Sequence, residues 1–130
     1  MLSIIITAYK EPKTIGLAIE SFVKQDIEGE YEILVVCPDE ETKNVVNDIS
    51  KNNSKVKHIP DPGKGKPVAL NTAFKQAKGE ILILTDGDVY SGDDSVKELL
   101  KPFEDKRVGA VTGRPVSLND SDTMLGYWSK

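Results

Sequence analysis

Runs of apolar, largely β-branched side chains alternate along this chain with segments whose apolar positions recur every three or four residues. Leu2–Thr7 (LSIIIT), Tyr31–Val36 (YEILVV) and residues 80–85 (EILILT) are short apolar runs. Such runs suit strands buried on both faces. Residues 55–60 (KVKHIP) read as a shorter strand ended by Pro60. Between them, Ile15, Ala18, Ile19, Phe22 and Val23 keep helical spacing, with Pro12 suited to a first turn and Gly29 a break. Val45, Val46 and Ile49 mark a second helix within residues 41–52. Leu70, Ala73, Phe74 and Ala77 mark a third, opened by Pro67 and stopped at Gly79. Val96, Leu99, Leu100 and Phe103 mark a fourth, before a fifth strand over residues 108–113.

This strict alternation of strand and helix predicts an α/β fold: a Rossmann-like three-layer α/β/α sandwich around a mostly parallel sheet. With 130 residues and no repeat, low-complexity tract or linker, the chain reads as one domain over 1–130. Its 38% hydrophobic and 29% charged residues place it among folded proteins. The net charge of −4, without any basic block, points away from nucleic acid. No run is long enough to span a bilayer, and MLSIIITAYKEP lacks the features of a signal peptide. The single cysteine, Cys37, allows no internal disulfide, in keeping with a reducing compartment. A cytoplasmic location is expected, with the full-length protein at the cytoplasmic membrane face as a variant.

The run over residues 80–85 leads straight into Asp86-Gly87-Asp88. In a parallel α/β sheet, ligands bind beyond the carboxyl ends of the strands. Three polar loops share that edge: residues 8–11 after the first strand, 38–40 after the second and 86–88 after the fourth. Like charges two residues apart repel unless they are solvated or bridged. A divalent cation removes the repulsion, and Mg²⁺ is commonly held by one or two carboxylates plus substrate phosphates. A solvated Asp-Gly turn is the plain alternative, and the buried strand and shared edge favour the ligand site.

The same blocks carry a family resemblance. SIIITAYKEPKTI resembles the opening of family 2 glycosyltransferases, usually Ser-Val-Val-Ile-Pro-Ala-Tyr-Asn-Glu-Glu. Residues 65–71 (GKPVALN) look like that family's Gly-Lys-x-x-Ala-Leu-Asn helix, followed by its DxD strand. The match is collinear from Leu2 to about Val116. It implies the nucleotide-sugar-binding half of a GT-A fold, with a UDP- or GDP-sugar as donor, an unknown acceptor and Mg²⁺ or Mn²⁺ as cofactor. By the resemblance, Thr7, Ala8, Tyr9 and Glu11 cup the nucleobase, and Lys66 and Asn71 belong to the donor site. Asp86 faces the ribose, beside Gly87, and Asp88 binds the metal. The usual Asp-Asp-Gly-Ser after the second strand is replaced by CPDEET, with Asp39 the candidate for its acid and Glu40 second. Thr7 and Lys10 also depart from the family pattern.

The family's general base and its Gln-x-x-Arg-Trp block have no counterpart before Lys130. The chain therefore reads as the donor-binding part of a longer inverting enzyme, inactive in transfer by itself. Its base is expected beyond residue 130. Met124, Leu125 and Trp128 in the tail suggest a weak homodimer. A sugar-phosphate nucleotidyltransferase is the alternative enzyme class, but its Gly-x-Gly-x-Arg loop has no equivalent in ITAYKEP. A non-catalytic nucleotide-binding module is the third reading. Lys64, His58 and Cys37 have ordinary structural explanations; for Arg114 a phosphate contact and a structural salt bridge stand level.

Overall fold

A computed structural model describes residues 1–92, 94–105 and 107. By its packing the chain falls into two compact units, Met1–Asp94 and a second that begins at Ser95. The first unit holds strands β1 (Leu2–Thr7), β2 (Tyr31–Cys37), β3 (Val56–Pro60) and β4 (Ile81–Asp86). Helices α1 (Ile15–Val23), α2 (Glu40–Asn52) and α3 (Lys66–Gln76) alternate with them. The second holds α4 (Ser95–Leu100), continued by a 3₁₀ turn over Lys101–Glu104. The predicted fifth strand and the tail lie outside the described residues.

The four strands form one parallel sheet in the order β3-β2-β1-β4. β1 aligns Ile4 with Ile33 and Ile83, and Ile5 with Leu34 and Leu84. Successive side chains point to opposite faces, so each strand feeds two cores. Ile5, Leu34, Val36 and Ile59 pack with Ala69 and Ala73 of α3. On the opposite face lie Ile4, Ile6, Ile33 and Val35, which are fully buried. Among the described residues of this unit, the buried faces of α1 (Ile15, Ala18, Ile19, Phe22) and α2 (Val46) complete the third layer. This is the α/β/α arrangement that the alternation predicts.

β4 departs from the reading of residues 80–85 as a strand fit for full burial. Its Leu82 and Leu84 are 40% and 51% exposed. The reason is lateral: β4 pairs only with β1 among the described strands, and α3 packs over β1 and β2. Gly79 also has a different role from the predicted helix stop. α3 ends at Gln76 with Ala77 as its C-cap. A Cβ at Gly79 would lie 2.6 Å from the Ser3 backbone nitrogen, so the residue is glycine because β1 passes against it. The Gly79 N–H donates to Ser3 Oγ at 2.8 Å, and Ser3 Oγ donates in turn to buried Glu32 at 2.7 Å.

Candidate functional site

The parallel topology brings the β1, β2, β3 and β4 exits to one edge. There Thr7, Ala8, Tyr9 and Glu11, Pro38, Asp61, Gly63, Gly65, Lys66 and Ala69, and Asp86 and Asp88 line a cleft of about 550 Å³. That volume suits a small-molecule or cofactor ligand. Of the residues singled out in the sequence, Thr7, Ala8, Tyr9, Glu11, Lys66, Asp86 and Asp88 stand together here. Asp39, Asn71 and Gly87 are not among the lining residues.

Thr7 and Asp86 are register partners on β1 and β4. Thr7 Oγ1 donates to Asp86 Oδ1 at 2.9 Å, and Lys66 Nζ donates to the same oxygen at 2.8 Å. Lys66 reaches it from the first turn of α3, where Pro67 takes an early position that needs no N–H partner. The Lys66 ammonium holds the Asp86 carboxyl below the usual range; partial burial opposes it and the Thr7 hydroxyl assists. Asp88, two residues on, is exposed, and its side chain makes no hydrogen bond or ion pair with any described residue.

Glu11 lines the same cleft, its Oε1 3.3 Å from where a Cβ on Gly87 would stand. Desolvation pushes its carboxyl pKa up; the Tyr9 N–H opposes, and the charges of Asp88, Asp86 and Asp39 add to the rise. Glu11, Asp86 and Asp88 thus share the cleft with a paired cation, Lys66. Among the described residues, no three His, Cys, Asp or Glu side chains close into a protein-made cage. The donor set is hard carboxylate oxygen, and it is incomplete without oxygens from a ligand. This matches Mg²⁺ or Mn²⁺ held by one or two carboxylates together with phosphates.

Gly87 is buried beneath the cleft. Its N–H donates to Thr7 O at 2.9 Å, and a Cβ there would lie 2.8 Å from Ala8 Cβ. The close approach at this glycine is made by the neighbouring loop of the protein. Asn71 is exposed on α3, away from the cleft lining.

Asp39 has both carboxylate oxygens engaged. Oδ2 accepts from the Thr42 N–H at 3.1 Å and the Thr42 hydroxyl at 2.7 Å, making Asp39 the N-cap of α2. Oδ1 accepts from the Lys10 N–H at 2.9 Å, and Thr42 Oγ1 accepts from the Glu11 N–H at 3.0 Å. Burial raises the Asp39 pKa, but these donors outweigh it and leave the carboxyl below its ordinary value. Asp39 and Thr42 thereby clamp the Tyr9–Glu11 loop, in which Lys10 has a positive φ of 52°.

Sequence reasoning missed Asp61, Gly63 and Gly65 as lining residues. Their loop was legible as Pro-, Gly- and Lys-rich, but its side-chain placement was not. His58 faces elsewhere, with Nε2 3.1 Å from Cys37 O. Burial, then the charges of Asp39 and Asp61, push the Cys37 thiol up to about 12, so it is no nucleophile.

The sequence model of glycosyl transferase family 2 matches residues 3–126. This chain belongs to glycosyl transferase family 2. The N-acetylglucosaminyltransferase of Rhizobium sp. (strain N33) is 26% identical over 134 residues, covering 95% of this chain and 29% of the relative. The poly(ribitol-phosphate) β-N-acetylglucosaminyltransferase TarS of Staphylococcus aureus (strain Mu50) is 34% identical over 102 residues, covering 74% of this chain and 18% of TarS.

Among solved structures, the mannosyltransferase PcManGT from Pyrobaculum calidifontis, in complex with GDP-Man and Mn²⁺, superimposes with a TM-score of 0.75. It is 26% identical over 83% of this chain and 33% of that one. Against the S. aureus TarS crystal structure the TM-score is 0.60, with 27% identity over 79% of this chain and 20% of that one. This family 2 chain thus has the GT-A fold and spans a third or less of the length of these relatives. Membership of the family decides between the two enzyme classes that the sequence left open, in favour of glycosyltransferase. Among the described residues, no helix is long and apolar enough to cross a membrane.

Proposed function

We propose that the cleft binds the nucleoside diphosphate of a UDP- or GDP-sugar together with a divalent metal. In the full-length protein, we infer, the sugar is transferred with inversion to an acceptor. One observation carries this reading: Asp88, a carboxylate unpaired among the described residues, rims the same cleft as the Thr7–Asp86–Lys66 cluster. A GDP-Man and Mn²⁺ complex of a structural relative supports it.

Asp88, with Glu11 close enough to feel its charge, would hold the metal. When bound, such an ion supplies Lewis-acid stabilisation of the leaving diphosphate. Asp86, fixed on one side by Thr7 and Lys66, keeps its other oxygen for a ribose hydroxyl. Lys66 adds positive charge toward the phosphates. The exposed Tyr9 ring offers the base a flat apolar face, and its loop is held by Asp39 and Thr42. A general base for the acceptor hydroxyl belongs, in this reading, to chain beyond the cleft.

Calorimetric titration of this chain with UDP and GDP, with and without Mn²⁺, tests the reading. Metal-dependent binding that Asp88→Asn abolishes is the expected result. Binding indifferent to both metal and Asp88 would overturn the metal assignment. Turnover of a nucleotide-sugar by the full-length protein separates an enzyme from a non-catalytic binding module.

A further inference from the structure

We propose that Asp61 reads the nucleobase, and that its carboxylate selects bases with a ring N–H, uracil and guanine, over cytosine and adenine. The inference rests on the reading of the cleft as a nucleoside-diphosphate site.

The sheet itself supplies a ruler. Asp61 directly follows Pro60, the last residue of β3, and Asp86–Asp88 leave β4 at the other side of the β3-β2-β1-β4 order. Three inter-strand steps separate these exits, about 14 Å in all. Both ends line the same cleft. A ligand with its diphosphate at Asp88 and its ribose at Asp86 must run along the strand exits. Its base then lies over the ends of β2 and β3, where the lining residues are Pro38, Asp61 and Gly63.

Of the acids near that end, only Asp61 among the described residues lines the cleft. Both Asp39 oxygens are held by Thr42 and Lys10. Glu40 is exposed and faces Lys43 at 3.8 Å. The Asp61 carboxylate is half-buried and fixed through one oxygen. Its Oδ1 accepts from the Gly63 N–H at 2.9 Å, in a turn that places Gly63 at φ 75°. Oδ2 has no partner among the described residues.

An ionised carboxylate can only accept hydrogen bonds. Uracil N3–H and guanine N1–H donate to it. The corresponding ring nitrogens of cytosine and adenine present lone pairs instead, so in the same pose this contact is lost; their amino groups can donate to a carboxylate only if the base shifts in the cleft. The recognition acid has, on this assignment, moved from the loop after β2 to the loop after β3. The vacated position serves as helix cap and loop clamp.

The test is titration of the chain with UDP, GDP, CDP and ADP in the presence of Mn²⁺. Wild type should prefer UDP or GDP to CDP and ADP by roughly 10–100-fold, the range for a hydrogen bond to a charged group. Asp61→Asn, whose amide both donates and accepts, should bring these ratios close to one while the binding stays metal-dependent. Asp61→Ser retains an acceptor for the turn N–H and should lose the preference in the same way. A preference that survives both substitutions, or a wild type without one, overturns the assignment and leaves the nucleotide site standing. Failure of all four nucleotides to bind wild type brings down the reading of the cleft, and this assignment with it.

Discussion

Gly87 stands so close to Ala8 that a Cβ built on it would lie 2.8 Å from the Ala8 Cβ, with Glu11 Oε1 and Ile15 Cδ1 each at 3.3 Å. The first neighbour is a buried methyl with no side-chain torsion to relieve the contact. Gly87→Ala should therefore destabilise the fold by about 1–3 kcal/mol, as overpacking does. It should also displace the Glu11 carboxylate. Urea unfolding measures the first effect. A midpoint equal to wild type would mean that the two loops are not packed as described.

Asp88 and Asp39 should show crossed effects. Asp88 has no partner to lose among the described residues, so Asp88→Asn should change stability by less than about 0.5 kcal/mol while removing the metal-dependent part of UDP or GDP binding. Asp39→Asn retains a capping side chain and should weaken that binding less. Asp39→Ala removes the cap and should cost about 0.5–2 kcal/mol, with the Tyr9–Glu11 loop loosened. Calorimetry and urea titration on the same preparations give both columns of the comparison. Equal binding losses for Asp88→Asn and Asp39→Asn would refute the division of roles.

Two carboxylates of the cleft, Asp86 and Glu11, should respond to pH in opposite senses. The Asp86 pKa is lowered in the fold, first by Lys66. Its contribution is complete above the ordinary value of 3.8 and is lost as pH falls through the folded value. Asp86→Asn should thus destabilise at neutral pH and match wild type in strong acid. The Glu11 pKa is raised, first by desolvation. Its ionisation costs stability as pH rises from 4.5 through the folded value, and the full cost persists above that. Glu11→Gln should therefore gain stability at neutral pH and nothing in strong acid. Urea midpoints from pH 7 down to the acid limb check both, and parallel profiles for the two variants would contradict this electrostatic picture.

At the opposite end of the sheet, Glu32 is 2% exposed. Its Oε2 accepts from Ser3 Oγ at 2.7 Å and from the Lys78 N–H at 2.8 Å, and Lys57 Nζ lies 3.9 Å from Oε1. This carboxylate ties the α3–β4 connection to β1 and β2. Glu32→Ala would leave those donors unsatisfied and should cost at least about 1–3 kcal/mol. Glu32→Gln retains an acceptor of the same size and should cost less. A thermal melt of the two variants beside wild type is sufficient. Equal melting temperatures for all three would show that the network contributes nothing.

Much of this protein was legible in its sequence because the deciding information was local. The β-branched runs of β1 and β2 can only be satisfied by burial on both faces, and both are buried. The helical spacing of Ile15, Ala18, Ile19 and Phe22 marks the buried face of α1. Strand–helix alternation forces parallel pairing, and parallel pairing puts every strand exit on one edge. Topology alone therefore makes Thr7, Tyr9, Glu11 and Asp86 neighbours.

What remained for the tertiary structure was lateral order and the choice of hydrogen-bond partner, which depend on residues distant in sequence. β4 reads like β1, yet it pairs only with β1 among the described strands, and α3 leaves Leu82 and Leu84 exposed. Gly79 reads like a helix stop, yet Ser3, 76 residues away, dictates its missing side chain. Asp39 had the right place to meet a ligand. The N–H groups of its own helix and of the β1 loop reached it first, because an N-cap carboxylate satisfies donors that are always present. Asp61, in a loop whose composition says only that it turns, was left facing the cleft.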